Sequence, residues 1–574
     1  MGSSIEQYVR PLVQYLQLGR GLSPWLVTTM LLFGWFAISK LLKTTESSSL
    51  QSKRPPTLPS GIPIFGHLPQ FLWNGSSLMS RAAKYLGPAI PTKIKLFSFS
   101  TYIVSGPESI ASFFKENLYL SATSRSIVVM ENAFGCPHEH VDLFRPRVTA
   151  DGRPDDIEHM IHRSIQGGLS GPRLETLTAQ FQARLAESLL GQTDKEHQGK
   201  WIEVDDLHGL VQKHVFAAMV HTLFGSYMLS LNPTIASDFW EFNKSVRSLF
   251  MGLPPWMTPG ALKMRSKMLE SIKRWQRHAQ ENCNFDDISD MDWEPYYGCR
   301  HVRERQALLT QRGILDETAR AAENFAFMWA TNSNSGPAAS WFLLEVLQDH
   351  QLKEEIEGQL LQGHFASVES SSLTDQEIVC IDPAKLMADP LLQSVYAETL
   401  RLRVAVLVVR EAVRGDFSFC GWQIKKNEVL TISSRTEAMD QTTWGTGGPD
   451  EPYPLHKFWP RRFLVDPADS NSGPLNIQKR AKKSSAAEGS SGPYFSMDGL
   501  AGSWIPYGGG RSLCPGRHFA KRKMIITTAV VLSLYDVELT GSSPMVDLNH
   551  FGFGTMPPKY KVAARMRRRV PNKS

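Results

Sequence analysis

Between residues 93 and 106 the chain reads KIKLFSFSTYIVSG, an alternating run rich in β-branched and aromatic residues. That period of two predicts a β-hairpin, and PESIASFFKE (107–116) behind it has the spacing of a helix. Helical periodicity then dominates from about 155 to 350, with breaks at proline-rich points such as GLPPWMTPG (252–260). A helix around 384–403 leads into a second strand-rich patch, VAVLVVREAVRGDFSFCGWQIKKNEVLTISS (404–434). Residues 464–503 are polar and rich in Gly, Ser and Asp, the composition of a loop carrying a flexible insert, SSAAEGSSGP. No internal repeat is evident. The pattern predicts a mainly α, α+β fold with a small antiparallel β region.

One helix breaks its own pattern. In MWATNSNSGPAASW (328–341) the segment TNSNSGP interrupts a helix that is apolar on both sides. Pro337 has no N–H, so the carbonyl of residue 333 loses its helical donor and the ring pushes that turn open. Gly336 eases the distortion. A plain kink bridged by Ser and Thr side chains is one reading; a functional seat built on a widened turn is the other.

Composition narrows the class. At 574 residues, 42% hydrophobic and 10% aromatic, the chain can bury a large core. The net charge of +6 is modest, and its local clusters, KRAKK (479–483) and RMRRR (565–569), lack interleaved aromatics and read as loop or tail. Nucleic-acid binding is therefore not expected. Six cysteines (Cys136, Cys283, Cys299, Cys380, Cys420, Cys514) show no paired spacing, which fits a reducing compartment rather than a disulfide framework. Cys136-Pro137-His138-Glu139-His140 reads as a solvated loop, because no second ligand pair follows at zinc-site spacing.

The stretch GLSPWLVTTMLLFGWFAIS (21–39) carries no charge. It is long enough to span a bilayer, which takes roughly 20 apolar residues. Lys40, Lys43, Lys53 and Arg54 follow it, against Arg10 and Arg20 before it, so the positive-inside bias puts the large C-terminal part in the cytosol. The expected order is an N-terminal segment (1–20), a single transmembrane anchor (21–42), a proline-rich hinge (43–67) and a catalytic domain (68–574).

Near the C-terminus stands IPYGGGRSLCPGRHFAKRKM (505–524). Pro515 is a favoured first helical residue, which would set Cys514 near the N-cap of an apolar helix. The helix dipole with Arg511 and Arg517 would then lower its pKa and favour thiolate. From these residues alone Cys514 is a nucleophile, a structural cysteine or a metal ligand.

The segment resembles the haem-binding signature of the cytochrome P450 superfamily, with Tyr507, Gly510, Cys514 and Gly516 at the matching positions. Two further signatures follow the family's order. Glu398-Thr399-Leu400-Arg401 matches its E-x-x-R helix, where an i,i+3 pair shares one face. HKFWPRRFL (456–464) resembles the next segment and offers Arg462 as the third member of that network. The resemblance covers essentially residues 50–565. It implies haem b with Cys514 as axial iron ligand, Arg511 and Arg410 as candidates for the haem propionates, and insertion of one O₂ oxygen into an apolar substrate. Electrons would come from NADPH through a separate cytochrome P450 reductase, since no GxGxxG followed by an acidic residue is present. Residence in the endoplasmic reticulum membrane is implied with it.

By the same resemblance the interrupted helix lies over the haem. Aligned on Ala330, Ser333 falls at the position of the family's acid and Asn334 at that of its threonine. Neither titrates near neutral pH, so they would orient water rather than supply a proton by ionising. Phe325, Phe327, Trp329 and Ala330 are candidates to line the pocket. The Asn and the following Pro are similar to a branch holding the sterol hydroxylases of bile-acid synthesis and prostacyclin synthase. That branch and the fungal look of CPGRHFA imply oxidation of a terpenoid, steroid or polyketide intermediate of secondary metabolism. A haem-thiolate isomerase or dehydratase that needs no reductase is the alternative.

Overall fold

From Arg54 onward the chain packs into one helical body with a sheet at one side. The computed structural model describes residues 54–569 apart from residue 98 and segments 145–156, 192–198, 285–286, 288–289, 312–314, 363–365, 371–376, 449–451 and 481–491. The apolar stretch 21–39 expected as an anchor lies outside the described residues. Among those described, no helix is long and apolar enough to cross a membrane.

The main helices are α1 (Leu68–Lys84), α2 (Gly171–Leu190), α3 (Leu207–Phe224), α4 (Ile235–Phe250), α5 (Pro259–Asn282), α6 (Glu317–Asn332), α7 (Ser335–Gln348), α8 (Pro390–Arg403) and α9 (Arg517–Leu534). Their ends follow from local chemistry. Asp316 caps α6 by accepting from Ala319 N at 2.7 Å, and Asp389 caps α8 by accepting from Leu392 N at 2.7 Å, with Pro390 at the first turn. In α7 every residue from Ser335 to Val346 is buried, so it is a central rod with no solvent face. It packs against α9 on one side and α3 on another, and α2 closes over α9.

The predicted hairpin forms as β1 (Thr92–Leu96) and β2 (Phe99–Ile103), antiparallel, and the helix after it spans Pro107–Lys115. They join β3 (Leu120–Ser121), β4 (Val404–Ala412), β5 (Val429–Ser433) and β6 (Phe553–Thr555) in one sheet of order β1-β2-β5-β4-β6, with β3 also on β4. The 404–434 patch therefore supplies the centre of the sheet, and β4 leaves directly from the end of α8. The part of the proline-rich hinge that is described is docked: Leu58 N donates to Lys93 O at 2.8 Å, and Arg54 pairs with Glu428.

One charge cluster departs from expectation. Residues 565–569 are no tail: Ala564–Arg568 is a strand between Tyr535–Leu539 and Trp201–Val204. Its alternation places Arg565 on Glu538 and Arg567 on Asp536, while Arg569 just beyond reaches Glu357. The basic run is locally neutralised. The Cys136 segment is also more ordered than a loop, since His138–Val141 forms a helical turn. His138 pairs there with Glu131, and no cluster of metal-ligating side chains occurs among the described residues.

Candidate active site

Between the α6–α7 junction, the start of α9 and strand β4 lies a cavity of about 440 Å³. Its walls are mostly apolar, with Leu400, Val404, Val406 and Phe519 among them, and Cys514 opens into it. Across it stand Ala330, Thr331, Asn334 and Ser335 from the helix break.

The loop that presents Cys514 is shaped by backbone needs. Gly510 has φ +65, and a Cβ there would sit 2.5 Å from Phe114 O and 3.0 Å from Arg410 Nη2. Cys514 N donates to Tyr507 O at 3.2 Å, closing the loop, and Tyr507 accepts a bond from Tyr396 Oη at 2.9 Å. The helix itself begins at Arg517 with Gly516 as N-cap, so Pro515 lies before the helix rather than in its first turn. Burial pushes the Cys514 thiol up, against the lowering pull of Gly516 N–H and the Arg517 charge. This corrects the expectation of an intrinsically acidic thiol: the helix cap lies two residues further along, at Gly516, and desolvation outweighs the lowering contributions. Arg511 is exposed and Arg410 is buried, and neither lines the cavity. Arg410 donates to Phe113 O and Gly509 O, both at 3.1 Å, and so braces the loop from behind.

Behind α8 the E-x-x-R network is complete and dry. Arg401 forks onto Glu398 at 2.7 and 2.8 Å, and Arg462 Nε reaches the same carboxylate at 3.0 and 3.1 Å. Arg401 also donates to the carbonyls of Ala438 and Leu455 and Arg462 Nη1 to that of Gly445, while Arg462 Nη2 is buried without a hydrogen-bond partner, and Trp459 N donates to Glu398. Burial alone would raise the Glu398 pKa; Arg401 and Arg462 outweigh it and hold the carboxyl below its ordinary value.

At the break, helix α6 ends at Asn332 and α7 begins at Ser335. Small polar side chains bridge the opened turn: Ser335 Oγ donates to Thr331 O at 2.7 Å, Thr331 Oγ1 to Phe327 O at 2.9 Å. Ser333 is buried, its Oγ has no hydrogen-bond partner, and it does not line the cavity. Asn334 does line it, but its Oδ1 is committed: it accepts from Thr555 N at 2.9 Å, while Thr555 Oγ1 donates to Asn334 O at 2.9 Å. The proposed pair is thus split, Ser333 turned into protein and Asn334 latched to β6. Of the four pocket candidates, Phe327 and Ala330 reach the cavity. Phe325 packs on Phe134 and Phe242, and Trp329 on Phe250, with its Nε1 donating to Asn243.

Most of the apolar lining escaped the sequence reading, and so did two polar residues, Thr555 and Lys523. Thr555 carries no motif. Lys523 sits in the basic-looking run KRK, yet it is four residues after buried Phe519 and three before buried Ile526. That spacing places it on the inward face, and it was the available signal.

Among the described residues the cavity offers the Cys514 thiol as a metal ligand and no His, Asp or Glu beside it, so its lining fits a metal that arrives already held in an apolar macrocycle. Gly516 lines the same space, and a Cβ there would make ordinary contact with Leu169 Cδ1 at 3.6 Å and Cys514 Sγ at 3.9 Å.

Fold and site together define a haem-thiolate oxygenase. The cytochrome P450 family profile matches residues 55–564, and the chain belongs to that family. It is 48% identical over 526 residues to the cytochrome P450 monooxygenase fsoE of Humicola fuscoatra, covering 90% of this chain and 88% of that one. It is 44% identical over 547 residues to the cytochrome P450 monooxygenase efuG of Hormonema carpetanum, covering 95% of each. A more distant relative is the cholesterol 7-alpha-monooxygenase of Cricetulus griseus, 25% identical over 435 residues, covering 71% of this chain and 75% of the relative. Among solved structures, retinoic acid bound cyanobacterial CYP120A1 shares the fold with a TM-score of 0.61 at 18% identity, covering 90% and 99% of the two chains. The protein is a cytochrome P450 monooxygenase that uses haem b with thiolate-ligated iron, reductase-supplied electrons and a small-molecule substrate.

Proposed function

We propose that Cys514 is the thiolate that holds the haem iron, and that the enzyme inserts one oxygen atom of O₂ into a rigid, apolar, polycyclic intermediate of fungal secondary metabolism. A terpenoid or steroid skeleton fits better than a polyketide. The observation that carries this reading is the placement of Cys514 opposite the broken α6–α7 junction across an apolar cavity. The steroid-like substrate is supported by the relative named for cholesterol 7α-oxidation, and the monooxygenase reading in a fungal setting by two fungal monooxygenases at far higher identity.

When bound, the haem supplies the oxidising chemistry, with thiolate donation favouring O–O cleavage. The chain's own contributions are distinct. Tyr507 and the glycine loop fix where the sulfur stands. The Glu398–Arg401–Arg462 network keeps the segment after α8 from shifting, because the buried carboxylate and the two guanidiniums pair only in this arrangement. Val406, Val408 and Phe519 exclude water. Asn334, with Oδ1 pinned by Thr555, has its Nδ2 donor left to orient a water or a substrate hydroxyl at the break.

Membrane attachment at the endoplasmic reticulum, with the catalytic domain cytosolic, belongs to the same proposal. It is supported by the uncharged run 21–39 and by large apolar residues left exposed on segments that adjoin one another. Trp73 on α1 is 91% exposed and Trp256 beyond α4 is 78% exposed. Met545 is exposed too, on the stretch whose Asn549 O accepts from Arg247 of α4. Large apolar side chains left this open to solvent suit contact with an apolar surface.

The test is turnover of a tetracyclic sterol or triterpene by the purified enzyme with P450 reductase, NADPH and ¹⁸O₂. Product carrying one ¹⁸O supports monooxygenation. Product that forms equally without reductase and NADPH, and carries no label, supports an isomerase or dehydratase instead.

A further inference from the structure

Helix α9 carries one cation inward. Lys523 is buried, lies on the cavity wall with Cys514, and donates from Nζ to Thr331 O at 2.8 Å and to Ser335 Oγ. Both acceptors belong to the helix break. Thr331 O is the carbonyl that would receive Ser335 N–H in an unbroken helix, so the interruption frees an acceptor that Ser335 Oγ and the lysine share.

No carboxylate answers this ammonium among the described residues. On α9 itself, Arg522 is turned away to Glu175 of α2, and Lys521 donates to Gln393 of α8. Glu345 of α7 is taken by Arg403, and Glu398 of α8 by its two arginines. From the helix at His350–Leu361, Glu355 pairs with Arg461 and Glu357 with Arg569; Asp536 pairs with Arg567 and Arg569. On α3 and α2, His208 meets Ser340 and His214 meets Ser188. Lys385, on the short helix before α8, pairs with Asp382, and Asp389 caps α8. A buried lysine without a counter-ion is costly to keep charged, and such residues mark functional positions.

We propose that Lys523 supplies protons to the break and holds it open, resting on the monooxygenase reading above. The step balances as follows. An Nζ–H bond breaks as Ser335 Oγ takes the proton. Ser335 Oγ–H, which rests on Thr331 O, must turn from it into the cavity, and the Oγ–H bond breaks as its hydrogen passes to the oxygen atom released as water. The neutral amine then regains a proton from solvent, while both electrons come from NADPH through the reductase. Lys523 thereby fills the role left empty at a break whose own side chains, Thr331, Ser333, Asn334 and Ser335, cannot ionise near neutral pH. Burial lowers its pKa from an ordinary 10.5 to about 7, which suits donation and recharging at cellular pH.

Two measurements test this. First, the holoenzyme with reductase, NADPH and O₂ alone reduces oxygen either to water (O₂ + 2 NADPH + 2 H⁺) or to hydrogen peroxide (O₂ + NADPH + H⁺). Wild type should release little peroxide per NADPH at pH 6 and progressively more above pH 7. Lys523→Gln and Ser335→Ala should release several-fold more at pH 6, with the pH dependence gone in Lys523→Gln. Second, thermal stability reads the lysine without turnover. Between its folded and unfolded pKa values the unfolded chain binds the extra proton, so wild-type stability rises with pH relative to Lys523→Gln across about pH 7–10.5. A Tm gap that does not change with pH, or a wild-type peroxide yield independent of pH, overturns the proposal. If Lys523→Gln does not fold, the wild-type profile and Ser335→Ala decide. If wild type consumes no NADPH, the monooxygenase reading fails, and the Tm gap still judges Lys523.

Discussion

Glu398 has no exposed atom and shares its two oxygens among Arg401, Arg462 and the Trp459 N–H. Such a triad contributes little net stability compared with apolar packing, but removing one member strands the others. Glu398→Gln keeps the shape and deletes the charge, leaving two guanidiniums buried. It should cost about 3–5 kcal/mol, read as a lower urea midpoint, with haem lost in parallel. The pairing was legible in the sequence because E-x-x-R fixes an i,i+3 contact on one helix. The roles of Arg410 and Lys523 were not. Arg410 was a candidate for the haem propionates and not for a brace behind the loop, and a lysine inside KRK looks like a surface charge until α9 is packed against the break.

The broken helix shows how an element combines local and distant causes. Pro337 announces the interruption in the sequence, and the Ser and Thr side chains that bridge it are equally local. The latch to β6 is not, because strand Phe553–Thr555 lies more than 200 residues away and carries no motif. Gly554 makes this contact possible: with φ +122, a Cβ on it would fall 1.8 Å from Asn334 Oδ1. Gly554→Ala should therefore lose of order 3 kcal/mol in chemical denaturation through strain and the broken Asn334–Thr555 bond. Adding Asn334→Ala removes the clashing atom, so the double variant should recover part of that loss; a strictly additive result would show that the two positions do not touch. The strand at 564–568 is the counter-example at this scale. Its basic composition resembled a tail, and only the partners Glu538 and Asp536, supplied by another strand, let it run as the middle strand of a sheet.

For the molecule as a whole, periodicity conveyed the helical bulk, the hairpin and the second strand patch, and the order of three short motifs conveyed the family. What periodicity does not encode is how α7 threads between α3 and α9, since a helix buried on every side carries no amphipathic signature. The apolar run 21–39 and the exposed Trp73 and Trp256 make a separate prediction. Deleting residues 1–53 should move the protein from the membrane pellet toward the supernatant while leaving a fraction bound through that exposed surface, measured by fractionation with and without salt. Changing Trp73 and Trp256 to Ser in the truncated protein should release the remainder.

The central claim is that one sulfur, Cys514, holds the iron opposite the helix break. The carbon monoxide difference spectrum of the reduced holoenzyme tests it most directly. Wild type should show the long-wavelength Soret band of thiolate-ligated haem, and Cys514→Ser should abolish it. A wild-type spectrum without that band, or a Cys514→Ser variant that retains it, would contradict the account.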